Sequence, residues 1–300
     1  NSTGNLVGDG SNKILTVGKD GGQDLTVNGT LNLGEGNLAT LKLNKNSQWG
    51  GTGSVTLRVL DMNFKTQSFT AASTMTINFS GAAAPIINAG TITSLVTITY
   101  NFTGTVAQTL PTSTNVKYGT MTINNTAGVT LGVGLTATSL LGNLTVQTGI
   151  LNNGGFANTL AAGKSFAVQG SSTFNLTGTS TMVAVSGGGT KSFNTSPTCS
   201  TVNYAGAAQT ITNETYGHLT LSGSGVKTMP GTALTVACDF SMSGSATAGT
   251  LNTLSVGRDF TLSGTAQFTA GNAVAVTRNF TLNTGPTFTA ATYSHSVGGD

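Results

Sequence analysis

The side chains best suited to chemistry lie near the end of the chain, where a short polar residue recurs every 20 or 21 positions. The series is Asp239, Asp259, Asn279 and Asp300. A Ca²⁺ ion takes six to eight oxygen ligands, and such a ladder could supply some of them. The glycine- and aspartate-rich nonapeptide of calcium-binding rolls is absent, however. We therefore favour a structural role, in which each side chain hydrogen-bonds the backbone of a turn and the neighbouring Arg258 and Arg278 balance charge.

The same series contains a carboxylate pair that could suggest catalysis. Retaining glycoside hydrolases use two carboxyl groups about 5 Å apart, and Asp239 and Asp259 would reach that distance on adjacent turns of a repeat. A ladder gives this spacing without any catalytic purpose. Beyond residue 65 the only other acids are Glu214 and Asp300. We therefore expect no enzyme activity, no metal and no cofactor.

Histidine and cysteine, the usual ligands of zinc, are scarce. His218 and His295 are the only histidines, and two imidazoles do not make a metal site without other ligands. We place His218 in an exposed position at the start of a strand. His295 falls in an apolar column, where we favour an irregular turn over an imidazole that is buried with a hydrogen bond. Cys199 and Cys238 are 39 residues apart, two turns of roughly 4.8 Å each, which exceeds the reach of a disulfide. The sequence predicts two free thiols.

A repeat with a period near 20 residues must position all of these side chains. Apolar residues form two pairs of columns, and in each column successive members are 20 or 21 positions apart. The first pair is Leu219, Phe240, Phe260 and Phe280 with Leu221, Met242, Leu262 and Leu282; the second is Leu234, Leu254 and Val274 with Val236, Val256, Val276 and Val297. A fixed period of this length is typical of solenoids, and alternation of apolar with polar residues indicates strands with one buried face.

The sequence therefore predicts an all-β fold, a right-handed parallel β-solenoid with about 20 residues and three short strands per coil. The residues expected to fill the interior of one coil are Phe260, Leu262, Phe268, Val274 and Val276.

Composition supports this fold and excludes several functions. The chain has 42 glycines but only 12 Lys and Arg and 9 Asp and Glu, and no segment shows the apolar stripe of an amphipathic helix. The net charge of +3 is spread thinly, which argues against nucleic acid as a partner. No apolar run approaches the roughly 18 residues of a membrane helix. The final VGGD resembles the start of another repeat, so we expect a processed or excised segment of a longer protein.

Two parts of the array differ in composition. Residues 1–65 are richer in charge and hold the only tryptophan, Trp49. We predict that they form a cap over one end of the solenoid core, with a ligand-binding head as the alternative. Strands are nevertheless expected within Asp24–Leu33 and Ser54–Leu60. Residues 66–300 are predicted to form one continuous solenoid.

A block of roughly a hundred residues occurs twice within the predicted solenoid. The matching segments are TINFSG at 76–81 with TVNYAG at 201–206, AQTLPTSTNVKYGTMTI at 107–123 with AQTITNETYGHLTL at 208–221, and NTLAAGKSFAVQGSSTF at 158–174 with NTLSVGRDFTLSGTAQF at 252–268. Repeat arrays grow by duplication of such modules.

The motifs DFTLSGT, YGHLTLSG and NYAGAAQT resemble those of the long "β-strand repeat" surface proteins of bacteria. More distantly, they resemble the right-handed β-helices of filamentous haemagglutinins and autotransporter passengers. The resemblance covers roughly residues 70–300, and it implies an extracellular fibre, adhesin or matrix component. No functional residue is transferred from it, because the matching positions are core and corner positions.

We therefore predict a structural, extracellular rod, a segment of a large bacterial surface fibre or adhesin stalk. Expected partners are copies of the chain, associating end to end or laterally into fibres, and cell-surface or matrix polysaccharide. One alternative is a carbohydrate-binding or carbohydrate-cleaving β-helix. Another is an ice-binding solenoid that uses the outward residues Thr220, Ser241, Thr261 and Thr281. Serine interrupts this series, so we favour an ordinary solvent-facing strand surface.

Overall fold

The computed structural model describes residues 14–17, 25–33, 40–250 and 252–299. Over these residues the chain is all-β, and its strands stack as the parallel coils of a β-solenoid with about 21 residues per turn. The predicted fold class is confirmed. These residues form no helix, so none of the required length and apolarity to cross a membrane is found among them. Asp24 and Asp300, both singled out in the sequence, lie outside the described residues.

The chain divides into two compact units, which are described separately. Unit 1 is Asn1–Leu151 with Thr159–Phe166 and Ala184–Lys191, and unit 2 is Asn152–Asn158 with Ala167–Val183 and Ser192–Asp300. The proposed boundary of a cap at residue 65 stays a prediction.

Most strands are short because the chain turns a corner several times in each coil. The strands through residue 152 are β1 (Ile14–Val17), β2 (Leu25–Thr26), β3 (Thr30–Asn32), β4 (Thr40–Leu43), β5 (Ser47–Gly50), β6 (Ser54–Leu57), β7 (Val59–Asp61), β8 (Thr66–Phe69), β9 (Thr76–Ser80), β10 (Ile86–Ile87), β11 (Thr91–Thr93), β12 (Thr99–Gly104), β13 (Gln108–Thr109), β14 (Thr120–Thr130) and β15 (Leu144–Asn152).

Three parallel sheets run through the coils of unit 1, in the orders β1-β4-β7-β10, β2-β5-β8-β11 and β3-β6-β9-β12-β14. Up to β12 each coil gives one strand to each sheet, as predicted. Inward residues form ladders: Leu57, Phe79, Phe102 and Ile123 are in register and buried. Trp49 is buried in register with Phe69. The coil that contains Trp49 therefore carries the same kind of inward ladder as those that follow it.

The remaining strands are β16 (Phe166–Val168), β17 (Thr173–Leu176), β18 (Lys191–Phe193), β19 (Thr201–Tyr204), β20 (Gln209–Thr210), β21 (Thr215–Tyr216), β22 (His218–Leu221), β23 (Ser224–Thr228), β24 (Leu234–Val236), β25 (Phe240–Met242), β26 (Ser245–Thr250), β27 (Leu254–Val256), β28 (Phe260–Leu262), β29 (Gln267–Ala270), β30 (Val274–Val276), β31 (Phe280–Leu282), β32 (Thr287–Ala290) and β33 (Ser296–Val297). The sheets of unit 2 have the orders β17-β19-β22-β25-β28-β31, β20-β23-β26-β29-β32 and β21-β24-β27-β30-β33.

The apolar columns predicted for the last coils are confirmed by the register of these sheets. Leu219 pairs with Phe240, Phe240 with Phe260, and Phe260 with Phe280. Neighbouring phenylalanine rings stack with centroids 4.9 and 4.8 Å apart. The five residues predicted to fill one coil are all buried. The core of unit 2 is thus a set of continuous side-chain ladders along the stacking direction.

Glycine shapes one recurring corner of these coils. Gly223, Gly244 and Gly264 follow β22, β25 and β28 and have φ angles of +74°, +66° and +64°. A Cβ at Gly244 would overlap the carbonyl oxygen of Gly223 in the coil before it. Only glycine combines this left-handed backbone with such close stacking at little cost.

Candidate functional site

Five side chains that could do chemistry meet at one edge of unit 2, where strands of adjacent coils begin. His218 is the first residue of β22, Cys238 and Asp239 directly precede β25, and Arg258 lies two residues before β28. Cys199 comes from the loop that precedes β19. Parallel pairing brings the starts of successive strands to the same edge of the sheet. We call these five residues the edge cluster.

The two cysteines of the edge cluster form a disulfide, with Cα atoms 6.5 Å apart. This distance lies within the usual range for a disulfide. The prediction of two free thiols is therefore wrong. That prediction assumed that Cys199 stays in a straight column, two full turns from Cys238.

The loop before β19 is the physical reason for the difference. Thr173 is in register with Thr201, so this coil advances 28 residues instead of 20 or 21. The surplus residues form a loop that folds back, because the Ser200 N–H donates to the Asn194 carbonyl at 2.9 Å. Gly217 lies in the intervening coil, and a Cβ there would overlap the carbonyl oxygens of Asn194 and Ser200. The missing side chain lets the loop pass close to that coil.

The polar members of the edge cluster surround one nitrogen of Arg258. Its Nη2 atom lies 3.4 Å from Asp239 Oδ2, 3.4 Å from His218 Nε2 and 3.8 Å from Cys199 Sγ. His218 Nδ1 is in turn 3.0 Å from Asp239 Oδ2. Arg258 thus balances charge, as predicted, but its partner is the carboxylate of the preceding coil and not the adjacent Asp259.

The position of His218 differs from the exposed one expected from the sequence. Its side chain is 24% exposed, since the Asp239 and Arg258 side chains pack against both ring nitrogens. Burial and, to a lesser extent, the Arg258 charge lower the pKa of His218, although Asp239 acts in the opposite direction. The imidazole is therefore neutral at neutral pH and retains an unprotonated ring nitrogen.

Two acids of the ladder, Asp239 and Asp259, accept hydrogen bonds from the backbone, which is the kind of contact that the structural interpretation favoured from the sequence expects. Asp239 Oδ1 accepts a hydrogen bond from the Asp259 N–H at 3.1 Å, and Asp259 Oδ1 accepts one from the Asn279 N–H at 3.2 Å. Each acceptor therefore serves the equivalent residue of the next coil. Arg278 also donates to Asp259.

His295 takes up the second of the two arrangements considered for it. Its Nδ1 accepts a hydrogen bond from the Val274 N–H at 3.2 Å, and its ring packs edge-on against Phe288 with centroids 5.9 Å apart. The imidazole is half-buried and satisfies a backbone donor of the preceding coil. It takes no part in the edge cluster.

Sequence reasoning missed a second kind of polar site, built around buried glutamines. In unit 2 Gln209 donates to the Leu176 carbonyl at 3.1 Å, while the fully buried Lys227 donates to Gln209 Oε1 at 2.9 Å. In unit 1 Gln108 donates to the Phe79 carbonyl, and Asn125 donates to Gln108 Oε1 at 3.0 Å. The duplicated AQT motif was the available signal, because a polar residue repeated at one position of a β-rich module indicates a specific bond.

Three residues of the edge cluster are of types that commonly bind metal ions. Single ligand atoms of Cys199, His218 and Cys238 all lie within 4.8 Å of one another. In the oxidised state shown, the two sulfur atoms are bonded to each other. In the oxidised cluster the two cysteines are therefore bonded to each other, and only after reduction would their sulfur atoms be free to act as ligands.

No protein-family model, curated protein or solved structure matches the chain.

Proposed function

We propose that the chain is a structural, extracellular segment of a large bacterial surface fibre or adhesin stalk. The observation that carries the proposal is the set of inward ladders, in which Leu219, Phe240, Phe260 and Phe280 stack on one another from coil to coil. In such ladders the large side chains pack against those of the neighbouring coils and hold the coils together. A ligand site would instead gather them around a concave pocket.

The disulfide supports the extracellular part of the proposal. Disulfides persist mainly in oxidising environments such as the cell surface, and Cys199 is bonded to Cys238 across coils of unit 2. The resemblance of the repeat motifs to bacterial surface proteins points in the same direction.

The rival carbohydrate-cleaving function finds little support in the acid ladder. A retaining hydrolase needs one carboxyl group that is protonated at its working pH. Burial raises the pKa of Asp259, but hydrogen bonds from Arg278 and Asn279 outweigh it and lower that pKa below its ordinary value. Asp259 is therefore ionised and already bonded, which suits a structural ladder better than proton donation.

The outward hydroxyl groups also favour a structural surface over an ice-binding one. Thr220 and Ser241 hydroxyls are hydrogen-bonded to each other at 3.0 Å, and Ser222 donates to Asn203 Oδ1 at 2.8 Å. These hydroxyls bond across coils, which strengthens the stack and leaves fewer of them to order water.

The test of the proposed role is to locate the native protein and image it. Antibodies against unit 2 epitopes, applied to intact cells and viewed by electron microscopy, are expected to label elongated structures outside the cell. Permeabilised cells serve as the control for total antigen. Labelling that appears only after permeabilisation would contradict the proposal.

We also propose that copies of the chain associate through the coil formed by β31, β32 and β33. Leu282 and Val297 are 48% and 53% exposed there. Each of these strands is the last of its sheet among the described residues of unit 2, and within that part of the 300-residue chain no strand pairs with its outer edge. An apolar surface beside an unpaired strand edge favours docking of another strand of the same type.

Sedimentation velocity on the 300-residue chain tests this association. We expect concentration-dependent oligomers, which Leu282→Lys should weaken because a charge would be buried in the contact. Thr261→Lys, on an outward position of an interior coil, is the matched control and should leave the oligomers unchanged. A monomer at all concentrations, or equal effects of the two variants, would refute the proposed contact.

A further inference from the structure

We propose that the edge cluster, once its disulfide is reduced, binds one soft divalent cation such as Zn²⁺ through Cys199, Cys238 and His218. This inference goes beyond the structural role proposed above and does not depend on it. The three ligand atoms already lie within 4.8 Å of one another. With Zn–S and Zn–N bonds of about 2.3 and 2.0 Å, the ligand atoms of a tetrahedral site are about 3.5 to 4 Å apart. Small side-chain rotations are therefore sufficient to complete the site.

A cationic nitrogen already lies against two of the three proposed ligands, Cys199 and His218. Arg258 Nη2 lies within 3.4 to 3.8 Å of His218 Nε2, Cys199 Sγ and Asp239 Oδ2. These are three electron-pair donors from different coils, and they converge on one positive group. Arg258 Nε, by contrast, is buried with no hydrogen-bond partner in the described part of the chain. The guanidinium is thus incompletely satisfied, and in the proposed site the divalent ion takes the place of its Nη2 group.

The surroundings of His218 suit the ligand role. His218 Nδ1 accepts a hydrogen bond from the Asp239 N–H at 3.3 Å. With Nε2 on the metal, Nδ1–H would instead donate to Asp239 Oδ2, 3.0 Å away. A carboxylate behind a ligating histidine fixes the tautomer and orients the ring. Both cysteines are buried while His218 is partly exposed, so the fourth position of the ion would face solvent and hold water. Three protein ligands and one water are typical of open zinc sites.

Reduction of the disulfide must precede metal binding. A phosphine reductant gives two electrons to the Cys199–Cys238 bond, which breaks to form two thiols with two protons from water. The phosphine takes up the oxygen of that water and becomes a phosphine oxide. Zn²⁺ then displaces the two thiol protons and binds the thiolates. Metal–sulfur bonds thereby replace the covalent link between the loop before β19 and the start of β25.

Cobalt is the probe for this site, because tetrahedral thiolate-bound Co²⁺ is coloured. The full chain, reduced with a phosphine under anaerobic conditions, is titrated with Co²⁺ and then with Zn²⁺. We expect one Co²⁺ per chain, a thiolate charge-transfer band in the near ultraviolet, tetrahedral d–d bands in the visible, and bleaching by Zn²⁺. The oxidised chain should show none of these bands. Their absence from the reduced, folded chain would overturn the proposal.

Variants distinguish a specific site, which needs His218 and its neighbours, from binding of the metal by the two thiols alone. Asp239→Asn should weaken Co²⁺ binding about 10- to 100-fold, and His218→Gln should weaken it further, whereas His295→Gln is the matched histidine control and should change nothing. Arg258→Gln should strengthen binding about tenfold, because it removes a competing positive charge. Each variant is first checked for the β-sheet circular dichroism signal. Equal affinity in His218→Gln and the parent chain, or weaker binding in Arg258→Gln, would contradict the assignment.

Discussion

At the scale of single residues, neighbouring positions in one strand have opposite surroundings. Phe260 is fully buried, with the rings of Phe240 and Phe280 stacked on either side. Thr261, the next residue, points outward and is half-exposed. Because alternate residues of a strand point to opposite faces, the chemistry allowed at each position follows from its place in the coil.

The first prediction compares these two neighbours. Phe260→Asp removes a stacked ring and buries an unpaired charge, so it should lower the free energy of unfolding by about 3 to 5 kcal/mol. Thr261→Asp should change it by less than about 1 kcal/mol. Urea denaturation, followed by the β-sheet circular dichroism signal, measures the free energy of unfolding of both variants. Equal stability of the two variants would show that the inward and outward columns are misassigned.

The buried tyrosines make stability depend on alkaline pH. Tyr204 and Tyr216 share hydrogen bonds with Thr212, and the two phenol oxygens are 3.1 Å apart. Burial raises the pKa of both phenols, and it also raises those of Tyr100 and Tyr118.

A folded-state pKa above the unfolded value of about 10 means that the unfolded chain loses protons first as the pH rises. We therefore expect that these phenols do not change the free energy of unfolding with pH below about pH 10, and that they lower it as the pH rises further. The tyrosinate absorbance of the four buried phenols should appear together with loss of the circular dichroism signal. Tyr216→Phe should reduce the pH dependence, because it removes one of the buried phenols whose pKa is raised. Ionisation of all four buried phenols in a folded chain would contradict their placement.

At the scale of elements, the loop between β18 and β19 shows how one irregular coil produces a specific link. Its surplus residues bring Cys199 within 6.5 Å of Cys238, measured between Cα atoms. The covalent link closes a loop of 39 residues. Closing a loop of this size restricts the unfolded chain and stabilises the folded one by about 2 to 4 kcal/mol.

Reduction of this disulfide, with a chelator present to exclude metal, should therefore lower the free energy of unfolding by about 2 to 4 kcal/mol. The measurement is urea denaturation of the oxidised and reduced chains under matched conditions. The double variant Cys199→Ser with Cys238→Ser is the control, since reductant should have no effect on it. A reduced chain as stable as the oxidised one would mean that the link does not constrain the unfolded state.

The regular elements could be predicted from the sequence, whereas this loop could not. In columns such as Leu219, Phe240, Phe260 and Phe280 an apolar side chain recurs at a fixed spacing. This spacing predicts which residues of adjacent coils are in register. Cys199 has no counterpart in another coil, so its position depends on how a 28-residue coil folds, for which the period gives no information. The edge cluster was missed for this reason, although its one acidic member, Asp239, was singled out. Its cysteines were assigned to columns that the loop does not follow.

At the scale of the whole molecule, burial is not uniform along the stack of unit 2. Interior coils have neighbours on both sides, and their inward residues, such as Leu219 and Phe260, are fully buried. In the coil of β31 to β33 the column residues Leu282 and Val297 are about half exposed. Because each coil is held mainly by its neighbours, local stability should follow the same gradient.

Hydrogen exchange on the 300-residue chain, kept monomeric by dilution, measures this gradient directly, since opening free energies report local packing. In unit 2 we expect the strongest protection in β22, β25 and β28, and the weakest in β31 to β33. In unit 1 the strands β9, β12 and β14 should be strongly protected, because their inward residues Phe79, Phe102 and Ile123 are buried. Raising the concentration should increase protection in β31 to β33 alone if copies dock on that coil. Uniform protection through Val297 in a proven monomer would show that the coil is stabilised by something other than a neighbouring coil.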